Sequence, residues 1–262
     1  LGERWGIGLT LSTLADMAAA RGEFAQAVQW QREAVALVRE VGIREDLPQM
    51  EAKLAHQLWL SGDRAEARRT LKQAARMAEE IGLPELLAVV GYGYASMARQ
   101  DGNLDEARER MARTAAVVDR SVFAPQFRAM IRSTRGLIEA AAGDLAAARE
   151  LHAAALAVAV ESQDSPIIAM TLVGIADLAL REGDPARAAR MLGAADAIRG
   201  STDRSVPDVD RVTAACRAAL GDAAYAAAYA EGTPVRPATV VAAAGLSDPP
   251  AEGPHRQRGE DR

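Results

Sequence analysis

The sequence predicts an all-α solenoid of stacked helical hairpins, and two observations carry that prediction. A six-residue phrase recurs five times: Gly22-Glu23-Phe24-Ala25-Gln26-Ala27, Gly62-Asp63-Arg64-Ala65-Glu66-Ala67, Gly102-Asn103-Leu104-Asp105-Glu106-Ala107, Gly143-Asp144-Leu145-Ala146-Ala147-Ala148 and Gly183-Asp184-Pro185-Ala186-Arg187-Ala188. Its glycines are 40, 40, 41 and 40 residues apart. A fixed period of this size marks units that bury their apolar faces only by stacking on their neighbours. Small residues also keep constant offsets from each glycine. Seven residues before it stand Ala15, Ala55, Ala95, Gly136 and Ala176; five after it, Ala27, Ala67, Ala107, Ala148 and Ala188; twelve after it, Ala34, Ala74, Thr114, Ala155 and Ala195. Small side chains at these points allow antiparallel helices to approach to the short end of the usual range of about 8–10 Å.

Each element follows from this phrase. The glycine ends a first helix by taking the left-handed conformation, and the polar residue after it starts a second helix. Four of those five residues (Asp63, Asn103, Asp144, Asp184) are good N-caps, whereas Glu23 is a poor one. Asp63 with Glu66, and Asn103 with Glu106, have capping-box spacing. Helix pairs are therefore expected at about 4–20 and 24–41, 46–61 and 64–81, 84–101 and 104–120, 125–142 and 145–162, and 166–182 and 185–199. Gly42, Gly82 and Gly200 close second helices, while Pro48, Pro84, Pro125 and Pro166 stand near the starts of first helices. Residues 1–200 thus form five hairpins, and 201–246 form a divergent helical cap from Pro207 to Leu220 and on through Ala230. Residues 247–262, rich in Pro, Gly and charge, read as a disordered tail.

Composition narrows the function. Apolar residues are 49% of the chain and aromatics 4%, so close helix contact through alanine has to supply the core. A net charge of −5 argues against a nucleic-acid surface. The single Cys216 suits a reducing compartment, and a cytoplasmic location is expected. No apolar run is long enough for a membrane span, and no signal peptide is visible. The chain opens Leu1-Gly2-Glu3-Arg4-Trp5, already helical in pattern and without Met, which reads as a piece of a longer protein.

The spacing of small residues in Ala15–Ala27–Ala34, and in the four later sets, resembles the tetratricopeptide repeat, here lengthened by about six residues over that family's usual 34. That resemblance implies a right-handed superhelix with first helices on its concave side. Farther on, the run from Ala188 to Gly200, then Asp203-Arg204-Ser205-Val206-Pro207-Asp208-Val209, Arg217 to Tyr225 and Ala228 to Gly232, is similar to the C-terminus of large SARP/AfsR-type transcriptional activators. In those proteins a winged helix, a bacterial transcriptional activation domain and an NTPase module precede the repeats. The resemblance implies a sensor module that binds a protein segment or small effector and regulates its own N-terminal domains, without contacting nucleic acid itself. A free-standing repeat scaffold is the alternative.

Sites of chemistry are not apparent. Gly6-Ile7-Gly8 and Gly91-Tyr92-Gly93 lie within helical patterns with no preceding strand, so helix packing explains them better than nucleotide binding. His152 falls at a packing position. His56 lacks a second ligand at zinc spacing, and neither a P-loop nor a nucleophile motif occurs. No catalytic residue, metal or cofactor is therefore expected. Glu79, Glu80 and Arg108-Glu109-Arg110 read as surface charge. The expected site is the concave face of the first helices: Asp16, His56, Trp59, Tyr92, Ser96, Arg99 and Asp177. Trp, Tyr and Arg grouped on one surface have the composition of a binding hot spot, with inter-repeat packing the competing reading for Trp59 and Tyr92.

Overall fold

The structure is a computed structural model that describes residues 2–120 and 122–246; the expected tail lies outside the described residues. Ten helices form five hairpins: α1 (Gly2–Ala20) with α2 (Phe24–Val41), α3 (Leu47–Leu60) with α4 (Arg64–Ile81), α5 (Pro84–Gln100) with α6 (Leu104–Arg120), α7 (Pro125–Ala141) with α8 (Leu145–Glu161), and α9 (Ser165–Arg181) with α10 (Pro185–Arg199). Three more helices come after them: α11 (Pro207–Leu220), α12 (Asp222–Gly232) and α13 (Val240–Ala244).

The hinges work as their residues dictate. Gly62 has φ +96, a conformation that a Cβ would penalise. Asp63, Asp144 and Asp184 each accept a hydrogen bond from the backbone N–H three residues on, at 3.0, 3.0 and 2.8 Å. Glu23 makes no such bond and pairs with Arg21 instead. The expected capping boxes form only in part: Glu66 turns its carboxylate outward to Arg32 at 2.7 Å, and Glu106 accepts from the Asn103 side chain. One stop had no signal in the sequence, because after α8 the left-handed position is taken by Gln163, at φ +56.

The recurring small positions form the helix–helix seams. All fifteen are buried, and every alanine among them is at most 2% exposed. Where the third repeat substitutes Thr114 for alanine, α5 offers Gly91 opposite; a Cβ there would lie 2.3 Å from the Thr114 hydroxyl. Gly93 and Gly8 meet Leu71 and Val38 in the same way. These glycines therefore serve packing.

His152 is fully buried between α7 and α9, in space that two glycines leave open. A Cβ on Gly136 or Gly174 would stand 2.7 or 2.4 Å from its ring. Neither ring nitrogen has a hydrogen-bond partner, and burial drops the pKa to about 4.

Ion pairs join successive hairpins along the outside. The arginine six residues after the hinge reaches a carboxylate near the end of the next first helix: Arg68 to Asp101 and Arg108 to Glu139, each at 2.6 Å, and Arg149 to Glu182. Arg108, read from sequence as plain surface charge, is thus an inter-repeat contact, and Arg44 joins Glu80 at 3.0 Å. Such solvated pairs are worth about 0–1 kcal/mol each.

The end of the fold departs from the hairpin plan. Rather than pairing chiefly with α11, α12 crosses α10 where both helices carry glycine: a Cβ on Gly193 or Gly232 would lie 2.0 or 1.9 Å from a backbone carbonyl oxygen of the other helix. The guanidinium of Arg187 ties the end of α13 to α10 by donating to the carbonyls of Ala244 and Gly245 at 2.5 and 3.1 Å. Freed from α12, α11 lies against α9 and α10 with Val209, Val212 and Cys216 in the core.

Candidate functional site

The start of α11 and the loop before it run along the first helices. The Arg204 N–H donates to the Ala20 carbonyl at the end of α1 (2.9 Å), and the Arg204 side chain lies on Gly22. The Ser205 carbonyl accepts from His56 Nε2 in α3 (3.2 Å). Asp208 takes a two-pronged contact from Arg99 in α5, at 2.5 and 3.1 Å. Arg211 binds Asp208 at 2.7 Å and Asp177 in α9 at 2.9 Å. A stretch from 204 to 211 spans roughly 25 Å even when fully extended. Four steps between first helices would take about 40 Å on a flat stack. The face shared by α1, α3, α5 and α9 therefore curves inward, and this segment lies inside the curve.

The seat is charged, and it is nearly dry where Arg99 meets Asp208. Asp208 is 2% exposed and Arg99 10% by side chain. Burial raises the Asp208 pKa, but Arg99 and Arg211 more than offset this and hold the carboxyl below its ordinary value. Where residues 203–209 meet α9 and α10, the remaining void is only about 10 Å³. The His56 ring is exposed by area although neighbouring groups crowd it. That crowding lowers its pKa against the opposing pull of the Ser205 carbonyl, Asp16 and Asp203, and since water reaches the ring, the open surface limits the effect.

The residues expected from sequence divide into two groups. His56, Arg99 and Asp177 meet the 204–211 segment, and Asp177 also binds Arg181 at 2.9 Å. Asp16 stays exposed and binds Lys53 at 2.6 Å. Trp59 and Tyr92 are half-buried against the hydrophobic clusters of the second and third hairpins, with the Arg64 guanidinium 4.7 Å from the Trp59 ring centre. The Ser96 hydroxyl and the Trp59 indole N–H are buried without hydrogen-bond partners.

Sequence reasoning missed the other half of the site: Arg204, Ser205, Asp208 and Arg211. A signal for them existed. At the inner positions of Arg99 and Asp177 the other hairpins often carry uncharged residues such as Ala19, Trp59, Ala140, Leu180 and Leu137. Arg99 is the one arginine or lysine at these positions, and Asp177 is an anion there as Asp16 is; where such charges are buried they need partners of opposite sign, and Asp208 and Arg211 supply them for Arg99 and Asp177.

Among the described residues no group of three or more His, Cys, Asp or Glu could hold a metal, and no helix is long and apolar enough to cross a membrane. A shallow depression of about 580 Å³ lies by the first two hinges, lined in part by Gly22, Phe24, Gln29 and Ser61.

Comparison with known proteins agrees with this architecture. Residues 8–41 and 127–201 match profiles of the tetratricopeptide repeat. The crystal structure of BtubC (BKLC) from P. vanneervenii superposes with a TM-score of 0.54 at 20% identity, covering 84% of this chain and 83% of that one. A search of curated proteins found no match. The SARP/AfsR-type resemblance is not reflected in these matches. The two matched stretches carry tetratricopeptide repeats, and the stacked helical hairpins are those of that repeat's solenoid fold.

Proposed function

We propose that the inner face of the solenoid is a recognition surface for a polypeptide segment that runs extended into the start of a helix and presents a carboxylate in its first turn. One observation carries this reading: residues 204–211 of the chain itself occupy that face, with Asp208 held by Arg99 and a backbone carbonyl held by His56. An external segment with the same chemistry would compete for these groups.

The similarity of residues 188–232 to SARP/AfsR-type activators supports a narrower reading, in which this module senses a partner and regulates DNA-binding and NTPase domains elsewhere in a larger protein. The stretch that carries this similarity includes the segment on the inner face. Binding would alter those domains only through different affinities for their two states.

The test uses a labelled peptide of residues 200–220 and the chain with Asp208→Asn and Val209→Asp, which loosen its own segment, after circular dichroism has shown the repeats intact. The peptide is expected to bind this variant, to bind the unmodified chain at least tenfold more weakly, and to lose binding when Arg99→Gln is added. Absence of binding to the loosened, folded chain, or binding indifferent to Arg99, contradicts the proposal.

A further inference from the structure

Apolar packing thins between the third and fourth hairpins. Fifteen and eight residues before the hinge glycine, α3 carries Leu47 and Leu54, α5 Leu87 and Tyr94, and α9 Ile168 and Ile175. At the same register α7 carries Arg128 and Arg135, both half-buried. The apolar contact that remains runs mainly through Ile131 and Ile138, which join Met111, Ala115 and Val118 of α6 in a small cluster. The larger cores lie to either side, one ending at Met97 and the other beginning at Ala129. On the inner side α7 scarcely meets α5, whereas α5 packs on both α3 and α4, and α9 on both α7 and α8. The first junction is open on its inner side too, but there α2 and α3 share one core through Val28, Val35, Val38, Leu47, Met50 and Leu54. At inner positions beside the thin joint, the hydroxyls of Ser96 and Ser133 are buried without hydrogen-bond partners, and parting the hairpins would hydrate them.

The C-terminal segment spans this joint. Val209, Val212 and Cys216 root it in the core of α9 and α10, and Arg211 adds its pair with Asp177. Its hydrogen bonds to the first three hairpins are polar groups meeting polar groups: the Arg204 amide to Ala20, the Ser205 carbonyl to His56 and the Asp208 carboxylate to Arg99. One side is therefore held by apolar burial and the other by a handful of hydrogen bonds. Small, polar interfaces within a chain leave relative motion of the parts as the default.

We propose that the chain consists of two blocks, hairpins one to three and hairpins four and five with the cap, which swing apart at the α6–α7 joint, and that residues 204–208 latch them closed. A segment that displaced these residues from the inner face would open the latch, but the joint stands whether or not such a segment exists.

The test measures distances between spin labels, with the buried Cys216 left unlabelled. Labels on Thr13→Cys of α1 and Ala218→Cys of α11, both exposed positions, report the separation of the blocks. Thr13→Cys with Lys72→Cys, and Ala157→Cys with Ala218→Cys, are reference pairs within each block. His56→Ala with Arg99→Gln breaks the latch on the side of the first block. The cross-block distance should then broaden and lengthen by about 5 Å, half of a helix–helix spacing, while both reference pairs hold. His56→Ala alone, which spares the buried ion pair, should broaden it less. Adding Arg135→Leu, which restores the residue type of Leu54 at this register, should draw the opened distribution back towards the closed one. A cross-block distance unchanged in both latch variants would overturn the proposal, as would a reference pair that moves as far as the cross-block pair. An opened distribution that ignores Arg135→Leu would also overturn it, by placing the motion elsewhere.

Discussion

Arg99 and Asp208 stand 109 positions apart in the chain and meet in a two-pronged, nearly dry ion pair that joins the third hairpin to the C-terminal cap. Charges out of water are stable only while they are paired: removing Asp208 leaves Arg99 uncompensated, whereas removing Arg99 leaves Asp208 with Arg211 alone. Asp208→Asn should destabilise the fold by about 3 kcal/mol and Arg99→Gln by less, and the double variant should cost clearly less than the sum. Urea denaturation of the four chains measures the coupling; additive losses would show that the pair does not act as a unit. Because the Asp208 pKa lies below its unfolded value, its contribution is fully present above the ordinary aspartate range. It is lost as pH falls through the lowered native value.

A second acid effect belongs to His152. Its pKa falls to about 4 in the fold and returns to the ordinary value of about 6.5 when the chain unfolds. Between those values the unfolded chain binds a proton that the native one does not, so stability should decline as pH drops from 6.5 towards 4, by roughly 3 kcal/mol in all. The difference between wild type and His152→Leu, followed by denaturation midpoints across this range, isolates it. A constant difference would mean that the imidazole reaches water or a partner in solution.

The glycines around that ring give a steric prediction. Gly174→Ala would press a methyl group against His152 and should cost about 1–3 kcal/mol, whereas the same change in a His152→Ala background should cost much less. Thermal melts of the four chains provide the cycle. Equal costs in both backgrounds would assign the glycine to backbone needs.

Caps should differ by residue. Asp63→Ala removes a side-chain bond to the Glu66 N–H and should cost about 1 kcal/mol, while Glu23→Ala removes none and should cost less than half of that. Denaturation midpoints of the two variants measure the difference.

The hairpins were legible in the sequence because their determinants are local and repeated. Gly62 needs a left-handed turn, Asp63 caps the second helix of its hairpin, and Ala55, Ala67 and Ala74 lie fully buried in the seams between helices. His152 was legible as packing for the same reason. The inner face was legible only in part. Periodicity placed His56, Arg99 and Asp177 on one side of the first helices, but it carries no information about a non-repeating segment that folds back from beyond the fifth hairpin. Trp59 and Tyr92 were ambiguous because an aromatic ring on a helix face has the same spacing whether it packs inward or awaits a ligand.

Residues 204–211 occupy the inner face, and the amide of Arg204, bonded to the Ala20 carbonyl across nearly the whole solenoid, reports on that placement directly. Hydrogen exchange at that amide should be slow in the wild-type chain and at least tenfold faster in Arg99→Gln, with α8 and α10 unchanged. Exchange at Arg204 that is already fast in the wild type, or that ignores the loss of Arg99, would contradict it.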